Sequence, residues 1–362
     1  MLEELGFKQS AFDPCMFYRH NMLAILYVDD VGLAFPTEDV LDEFLNELQD
    51  LGFEFTREGT FSEFLGIQFD FDTIARSVTM TQSGLIDKIL STAGMSECKP
   101  NKLPTSQLPL GNDENGEMMV ERWSYSMLLY LSTHTRPDVS FAVSQVARFT
   151  HKPKKSHANE MKHLLRYLKG TRTHGITFQL PDEPLKSMTS LLIEDYVDSD
   201  FAGLYRVECP QSMISAKSRT GYIIFLCGCP LIWKSQLQTG VALSTQEAEY
   251  TALSQSVRAL IPIRHLVEEA LKHLDLGPRL KIPQVICVAF EDNNGALSLA
   301  TNHRLTSRTK YYHVNSHWFW GHVKDGKLHV KGISSNQQNA DYLTKPLPFE
   351  PFGNNRQRVQ GF

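Results

Sequence analysis

Two apolar stretches in the second half of the chain, SLLIEDYVDSD (190–200) and QVICVAFEDN (284–293), read as strands, and both end in acid. In open α/β sheets, sites form beyond the strand ends. The segments around them set the frame. TGYIIFLCGCPLIWKS reads as a hairpin turning at Gly228, Cys229 and Pro230, and GVALS reads as a third strand. STQEAEYTALSQSVRALI opens a helix, with Ser244 as N-cap and Glu247 three residues on, the spacing of a capping box. Helices are expected over about Asn293–Ala300 and Tyr312–Val323, a short strand at KLHVKGI, and a last helix starting in QQNADYLTKPL. The order βββαβαβα predicts an α/β domain, one mixed sheet flanked by helices.

That order carries carboxylates toward one place. Asp198 and Asp200 end the first strand, Glu247 and Glu249 lie in the first turns of the next helix, Asp292 ends the fourth strand, and Asp341 opens the last helix. Taken singly, each reads as a surface charge or a cap. Four carboxylates converging without cations would be untenable, because like charges repel and each costs free energy to desolvate. Two divalent ions about 3.5–4 Å apart would turn such a cluster into a phosphodiester-cutting site. A donor set made only of oxygen suits Mg²⁺, or Mn²⁺, better than zinc.

The first half of the chain poses a related question. LAILYVDDVGLAF (23–35) reads as strand, turn, strand, with Asp29 and Asp30 side by side at the tip. EDVLDEFLNELQDLGF is an amphipathic helix, with Val40, Phe44, Leu48 and Leu51 at helical spacing and Gly52 as its stop. FSEFLGIQFDFD reads as a strand. Residues 80–175 look mostly helical, interrupted by a loop from Lys99 to Gly116 rich in Pro, Asn and Gly. LPDEPLKSMTS (180–190) is a linker, and PFEPFGNNRQRVQGF has no period and is expected to be disordered.

An apolar content of 42% and a charged content of 21% describe an ordinary globular protein. No apolar run approaches the ~20 residues that span a bilayer, and the start resembles no signal peptide. The six cysteines form no CxxC pair and no zinc spacing, which points to a reducing compartment. A net charge of −5 argues against a nucleic-acid partner, but local charge decides such matters. Between Arg148 and Arg172 lie Lys152, Lys154, Lys155, Lys162, Arg166 and Lys169, opposed within the run only by Glu160. The run is either a solvated helix face or a surface that tracks phosphates.

The motifs together resemble the C-terminal part of the Pol polyprotein of copia-type LTR retrotransposons. YVDD resembles the turn of a polymerase active site, and FLGIQF and MTQSGLIDKIL the segments that follow it. LLYLSTHTRPDVSFAVSQVARF and HANEMKHLLRYLKGT resemble the connecting helices. YVDSDFAG, SRTGYIIF, ALSTQEAEYTALS, EDNNGALSLA, SRTKYYHVNSH and NADYLTKPL resemble the family's ribonuclease H. The likeness runs nearly to Leu347. It implies a partial reverse-transcriptase palm over 1–75, a helical thumb or connection region over 76–180, a ribonuclease H-like domain with a mixed five-stranded sheet over 190–347, and a tail over 348–362.

Carried over by position, the resemblance implies Asp198, Glu249, Asp292 and Asp341 as catalytic and metal-binding residues, with two Mg²⁺ or Mn²⁺ ions. It prefers Asp198 to Asp200, as the first acid of its pair, and Glu249, which stands directly before Tyr-x-Ala, to Glu247. A helix turns those two glutamates about 200° apart, so both cannot face one site. Asp29 and Asp30 resemble paired acids that bind Mg²⁺ for nucleotide addition. The upstream strand that supplies a further Asp is expected to precede this chain, so no polymerase activity is expected of it alone. Lys152, Lys154, Lys155, Arg166, Lys169, Arg172, Arg308 and Lys310 are the expected nucleic-acid contacts. The loop SSNQQNAD lacks the His that related ribonucleases H often carry before the last Asp, and RTKYYH shifts His313 from the family's position; His317 matches a family His better.

The implied activity is Mg²⁺-dependent endonucleolytic cleavage of the RNA strand of RNA–DNA hybrids. The rival is a truncated or recruited remnant that binds nucleic acid or a protein without turnover. The implied partners are a hybrid or template–primer duplex and other Pol parts, with no membrane. The implied location is the cytoplasm, a virus-like particle, or the nucleus.

Overall fold

The computed structural model describes the chain apart from residues 1, 107–109, 119–124, 184, 186, 206–212, 274–281, 303–311 and 313–316. Three sheets form in chain order. The first is antiparallel and holds β1 (Lys8–Gln9), β2 (Met16–Arg19), β3 (Met22–Tyr27) and β4 (Asp30–Ala34). Helix α1 (Glu38–Asp50) lies on it through Leu41, Phe44 and Leu48, which meet Phe7, Phe17 and Ala24. The spacing of three and four residues gives α1 one apolar face, and Glu38 and Asp39 suit the positive end of its dipole. Gly52, at φ +82°, ends the turn after it.

The second sheet joins β5 (Glu63–Phe64), β6 (Ile67–Asp72), β7 (Ser77–Thr81) and β8 (Ile176–Gln179). Between β7 and β8 run α2 (Ser83–Thr92), α3 (Tyr125–His134), α4 (Ser140–Ala147) and α5 (Lys155–Gly170). FSEFLGIQFDFD is therefore a hairpin, turning at Leu65 and Gly66, both at positive φ. The expected boundary after residue 75 falls inside the β6–β7 hairpin, and β8 closes the same sheet from the far side of the helices.

The third sheet has the order β11–β10–β9–β12–β13, formed by β9 (Ser190–Asp200), β10 (Arg219–Leu226), β11 (Cys229–Leu237), β12 (Gln284–Glu291) and β13 (Leu328–Gly332). The first three strands are antiparallel, while β12 lies parallel to β9 and β13 parallel to β12. This is the mixed five-stranded sheet that the sequence implies. Helix α6 (Thr245–His273) covers one face, with Leu253, Val257 and Leu260 in the cluster that contains Ile193, Val197, Ile224 and Ala289. Helices α7 (Asn294–Asn302) and α8 (Trp320–Lys324) complete that side. The other face packs on the helices of the second region, where Ile223, Phe225 and Trp233 join Leu131, Val143 and Leu164. The indole Nε1 of Trp233 donates to the Ser132 carbonyl at 2.6 Å.

A buried ion pair ties these layers. Arg136 and Asp138 have fully buried side chains and meet through two parallel bonds of 2.8 Å. Asp138 also accepts from the Tyr167 hydroxyl at 2.6 Å, and Arg136 donates to the Thr171 carbonyl at 2.9 Å. Each remaining lone pair or proton satisfied in this way lowers the cost of burying the charges.

Three expectations are corrected. GVALS is not a strand: β11 already ends the sheet, and the segment turns into α6. Asp341 opens only a single 3₁₀ turn, Asp341–Leu343, because Pro346 and Pro348 follow. The tail is not disordered; α9 (Phe349–Gln360) buries Phe352, Asn355, Val359 and Gln360. Its polar residues hid its role. Phe352 packs edge-on against Tyr167 and Tyr342, at centroid distances of 5.9 and 6.1 Å. Gln360 reaches Asp138 at 3.3 Å and the Gly175 carbonyl at 2.8 Å. Phe352→Ala is therefore expected to cost about 3–5 kcal/mol of stability, read as a lower urea midpoint. An unchanged midpoint would place α9 outside the core.

Candidate metal centre

The carboxyl end of β9 is the point where three elements meet. Asp198 on β9, Glu249 on the second turn of α6 and Asp292 just after β12 each offer an oxygen, and these atoms lie within 4.8 Å of one another. Asp198 and Glu249 are buried and Asp292 is half-buried. Asp341 lies at the rim, linked to Asp198 through Lys345, whose Nζ is 3.0 Å from Asp341 Oδ1 and 3.6 Å from Asp198 Oδ2. The Thr344 hydroxyl donates to Asp198, and Ser335 donates to Asp292 at 2.7 Å. Gly221, opposite Asp198 in β10, admits the 341–344 turn: a Cβ there would sit 2.6 Å from Thr344 Cγ2 and 2.9 Å from the Leu343 Cβ.

The alternatives separate in space. Glu247 bends back to accept from the Leu243 amide at 2.9 Å, while its own amide donates to the Ser244 hydroxyl at 3.2 Å, so it serves in the cap. Asp200 lies two residues beyond Asp198, beside Gly203 and toward Arg219, outside the three-acid group.

Electrostatics mark the cluster as short of positive charge. Burial, then Glu291 and Asp198, push Glu249 up to about 11. Burial, then Asp198, raise Asp341 to about 6. Asp198 is raised by burial, against the pull of Lys345. Glu249 Oε2 is buried without a hydrogen-bond partner. An all-oxygen donor set with an orphaned buried oxygen fits a hard divalent cation.

Sequence reasoning missed Glu291 and Asp195. Glu291 is fully buried beneath the cluster, pushed well up by burial, and accepts from the Asn293 amide at 2.9 Å. Asp195, fully buried on β9, is raised to about 7 by burial, with the neighbouring Ser256 hydroxyl pulling the other way. The signal was present: FEDN places two acids in succession, so one must turn into the sheet.

Asp29 and Asp30 are exposed at the tip of the β3–β4 hairpin, where Tyr27 pairs with Asp30. Val28 precedes them at φ +55°, a strained value for a β-branched residue. Among the described residues no third acid joins them in a metal-sized group.

The basic run divides. Lys154 is buried, with its ammonium on the Gly116 carbonyl at 2.8 Å and the Glu114 carbonyl at 3.3 Å, which corrects its reading as a phosphate contact. Lys155 pairs with Glu117 at 3.2 Å and Arg172 with Asp87 at 2.5 Å, so acids from elsewhere in the chain balance the run. Lys152 and Arg166 are exposed and Lys169 is half-exposed. Arg308, Lys310 and His313 lie outside the described residues. His317 meets the Tyr250 hydroxyl through Nδ1 at 3.0 Å and packs on Trp320.

Residues 1–107 match the model of the reverse transcriptase (RNA-dependent DNA polymerase) family. The chain is 30% identical over 355 residues to the retrovirus-related Pol polyprotein from transposon TNT 1-94 of Nicotiana tabacum, a match over 94% of this chain and 25% of that polyprotein. The chain belongs to the copia-type Pol polyprotein family. It spans about a quarter of the length of the polyprotein just named. The Pol segment is also 32% identical over 248 residues to an uncharacterized mitochondrial protein of Arabidopsis thaliana, over 66% of this chain and 93% of that protein. Among solved structures, RNase H1 from the halophilic archaeon Halobacterium salinarum NRC-1 is similar at 12% identity and a TM-score of 0.26, over 42% of this chain and 94% of that one.

The raised carboxyls make a signed prediction. An acid whose folded pKa lies above its unfolded value stabilises most at low pH, and that share is lost as pH rises toward the folded value. Glu249, at about 11, still holds its proton when folded, whereas an unfolded glutamate has lost it by pH 7. Metal-free Pol segment is expected to lose stability from pH 7 to 9.5, by at most about 1.4 kcal/mol per pH unit from this group. Thermal melts in chelator check it; Glu249→Gln should flatten the slope, and added Mg²⁺ should reverse it.

Proposed function

We propose that this Pol segment hydrolyses the RNA strand of RNA–DNA hybrids, with Mg²⁺ or Mn²⁺ held by Asp198, Glu249, Asp292 and Asp341. The observation that carries this reading is the convergence of three carboxylates from three separate elements within 4.8 Å, with a fourth at the rim. When bound, a pair of divalent ions supplies an activated water and neutralises the charge that grows on the leaving oxygen. The chain's own residues hold the frame. Thr344 fixes Asp198, Ser335 fixes Asp292, and the buried stem of α6 fixes Glu249. The half-buried Asp292 and Asp341 leave one side open to a backbone phosphate. The 2′-hydroxyl is the group by which such a site tells RNA from DNA. Lys152, Arg166 and Lys169 offer positive charge along the duplex, and their contacts would be salt-sensitive.

The test is a labelled RNA–DNA hybrid with Mg²⁺ titrated against the native chain and Asp292→Asn. The native chain should cut only the RNA strand, and the variant should fall to background. A folded native chain that leaves the hybrid intact in both Mg²⁺ and Mn²⁺ refutes the proposal.

The YVDD hairpin supports a separate statement. With no third acid beside Asp29 and Asp30 among the described residues, this chain alone is proposed to lack nucleotide addition. Primer extension with nucleoside triphosphates and Mg²⁺ should give no template-dependent product; incorporation that Asp29→Asn abolishes would overturn this.

A further inference from the structure

Asp341 is not within the three-acid group, and what joins it to that group is a cation supplied by the chain itself. Lys345 stands four residues after Asp341, and the single 3₁₀ turn between them folds Thr344 and Lys345 back over Asp198. The Thr344 hydroxyl and the Lys345 ammonium both address Asp198 Oδ2, while the same ammonium holds Asp341 Oδ1. A cation shared by Asp198 and Asp341 would therefore occupy the place where Nζ now lies.

The rest of the cluster differs. Glu249 keeps a buried Oε2 with no hydrogen-bond partner among the described residues, and Asp292 accepts from the neutral Ser335 hydroxyl. No ammonium lies within salt-bridge distance of either, among the described residues. A divalent ion held by Glu249 and Asp292 would displace no ammonium from those two acids, whereas one held by Asp198 and Asp341 would have to displace the Lys345 ammonium. The Lys345 side chain is 41% exposed and carries a flexible four-carbon stem, so its tip can leave without moving the turn that anchors it.

We propose that Lys345 is the resident counter-ion of the second metal position, filling it in the metal-free protein and yielding it only when a second divalent ion binds. The proposal rests on the metal-binding reading above and adds to it an order. The first ion binds on the Glu249 side, and the second binds more weakly because it must displace an ammonium. Lys345 is thus a positioning residue: it holds Asp341 near Asp198 while the site is empty.

Binding of Mn²⁺ alone to the full chain, followed at fixed pH by calorimetry and by the free-ion paramagnetic signal, tests this without any substrate. The native chain should show one tight and one weak site, separated by at least about tenfold. Lys345→Met should tighten the weak site by about tenfold or more and leave the tight one nearly unchanged. It should also lower the melting temperature in chelator, where Asp198 and Asp341 then face each other unscreened. Lys345→Arg, which keeps the charge, should retain the native split and guards against a variant that merely misfolds. Two sites unaffected by Lys345→Met would overturn the proposal while leaving the metal-binding reading intact. A native chain that binds no Mn²⁺, or whose tight site survives Asp292→Asn, would overturn both.

Discussion

Strand β9 must lie in the middle of its sheet, and much of the molecule is arranged to let it. It pairs antiparallel with β10 and parallel with β12, so both its edges are consumed. Its two faces are covered by α6 on one side and by the α3–α5 layer, with the 341–344 turn, on the other. The acid cluster gathers at its carboxyl end, where Asp198 stands. The acids there come from β9, α6 and the end of β12 because these are the elements that touch β9. Their mutual repulsion is tolerated because the site is built for added positive charge, part of which Lys345 already supplies.

The α3–α5 layer does two things at once. In sequence it belongs with the segments that follow the YVDD hairpin. In space it forms the second cover of the five-stranded sheet, through Leu131, Val143 and the Trp233–Ser132 bond. The first sheet makes a lighter connection, in which Tyr18 stacks on His273 at 4.5 Å and the Ala11 amide donates to Glu269 at 3.0 Å, both at the far end of α6. The hairpin and the acid cluster are therefore borne by opposite ends of one long helix.

Most of this was legible in the sequence, and the exceptions share a cause. The apolar strands, the Ser244–Glu247 cap, α1 and the YVDD hairpin are set by local patterns, and they stand where the patterns put them. The misses arose where distant contacts decide. FEPFGNNRQRVQ has little helical signature, but Phe352 and Gln360 find partners some 180 residues away, at Tyr167 and Gly175. Lys154 sits in a run of like charge, yet the carbonyls of the preceding loop take it inside. The four acids could be named in advance, whereas Lys345 could not be placed, because it reaches the site through a 3₁₀ turn in a segment that reads as a helix start. Gly221 was visible in SRTGYIIF, and a glycine inside a strand is a sign of close backbone approach. What it makes room for emerged only with the turn in place.

The buried Arg136–Asp138 pair has a dynamic corollary. It accepts hydrogen bonds from Tyr167 and Gln360 and donates to Thr171; these belong to α5, α9 and the turn after α5. Opening any one of these elements takes away part of the hydrogen bonding that the buried pair has in the interior. Their amides should therefore exchange with solvent in a single cooperative event. The chain's last helix would act as a latch on its middle, and slow exchange in α5 would report whether the carboxyl-terminal turn is closed.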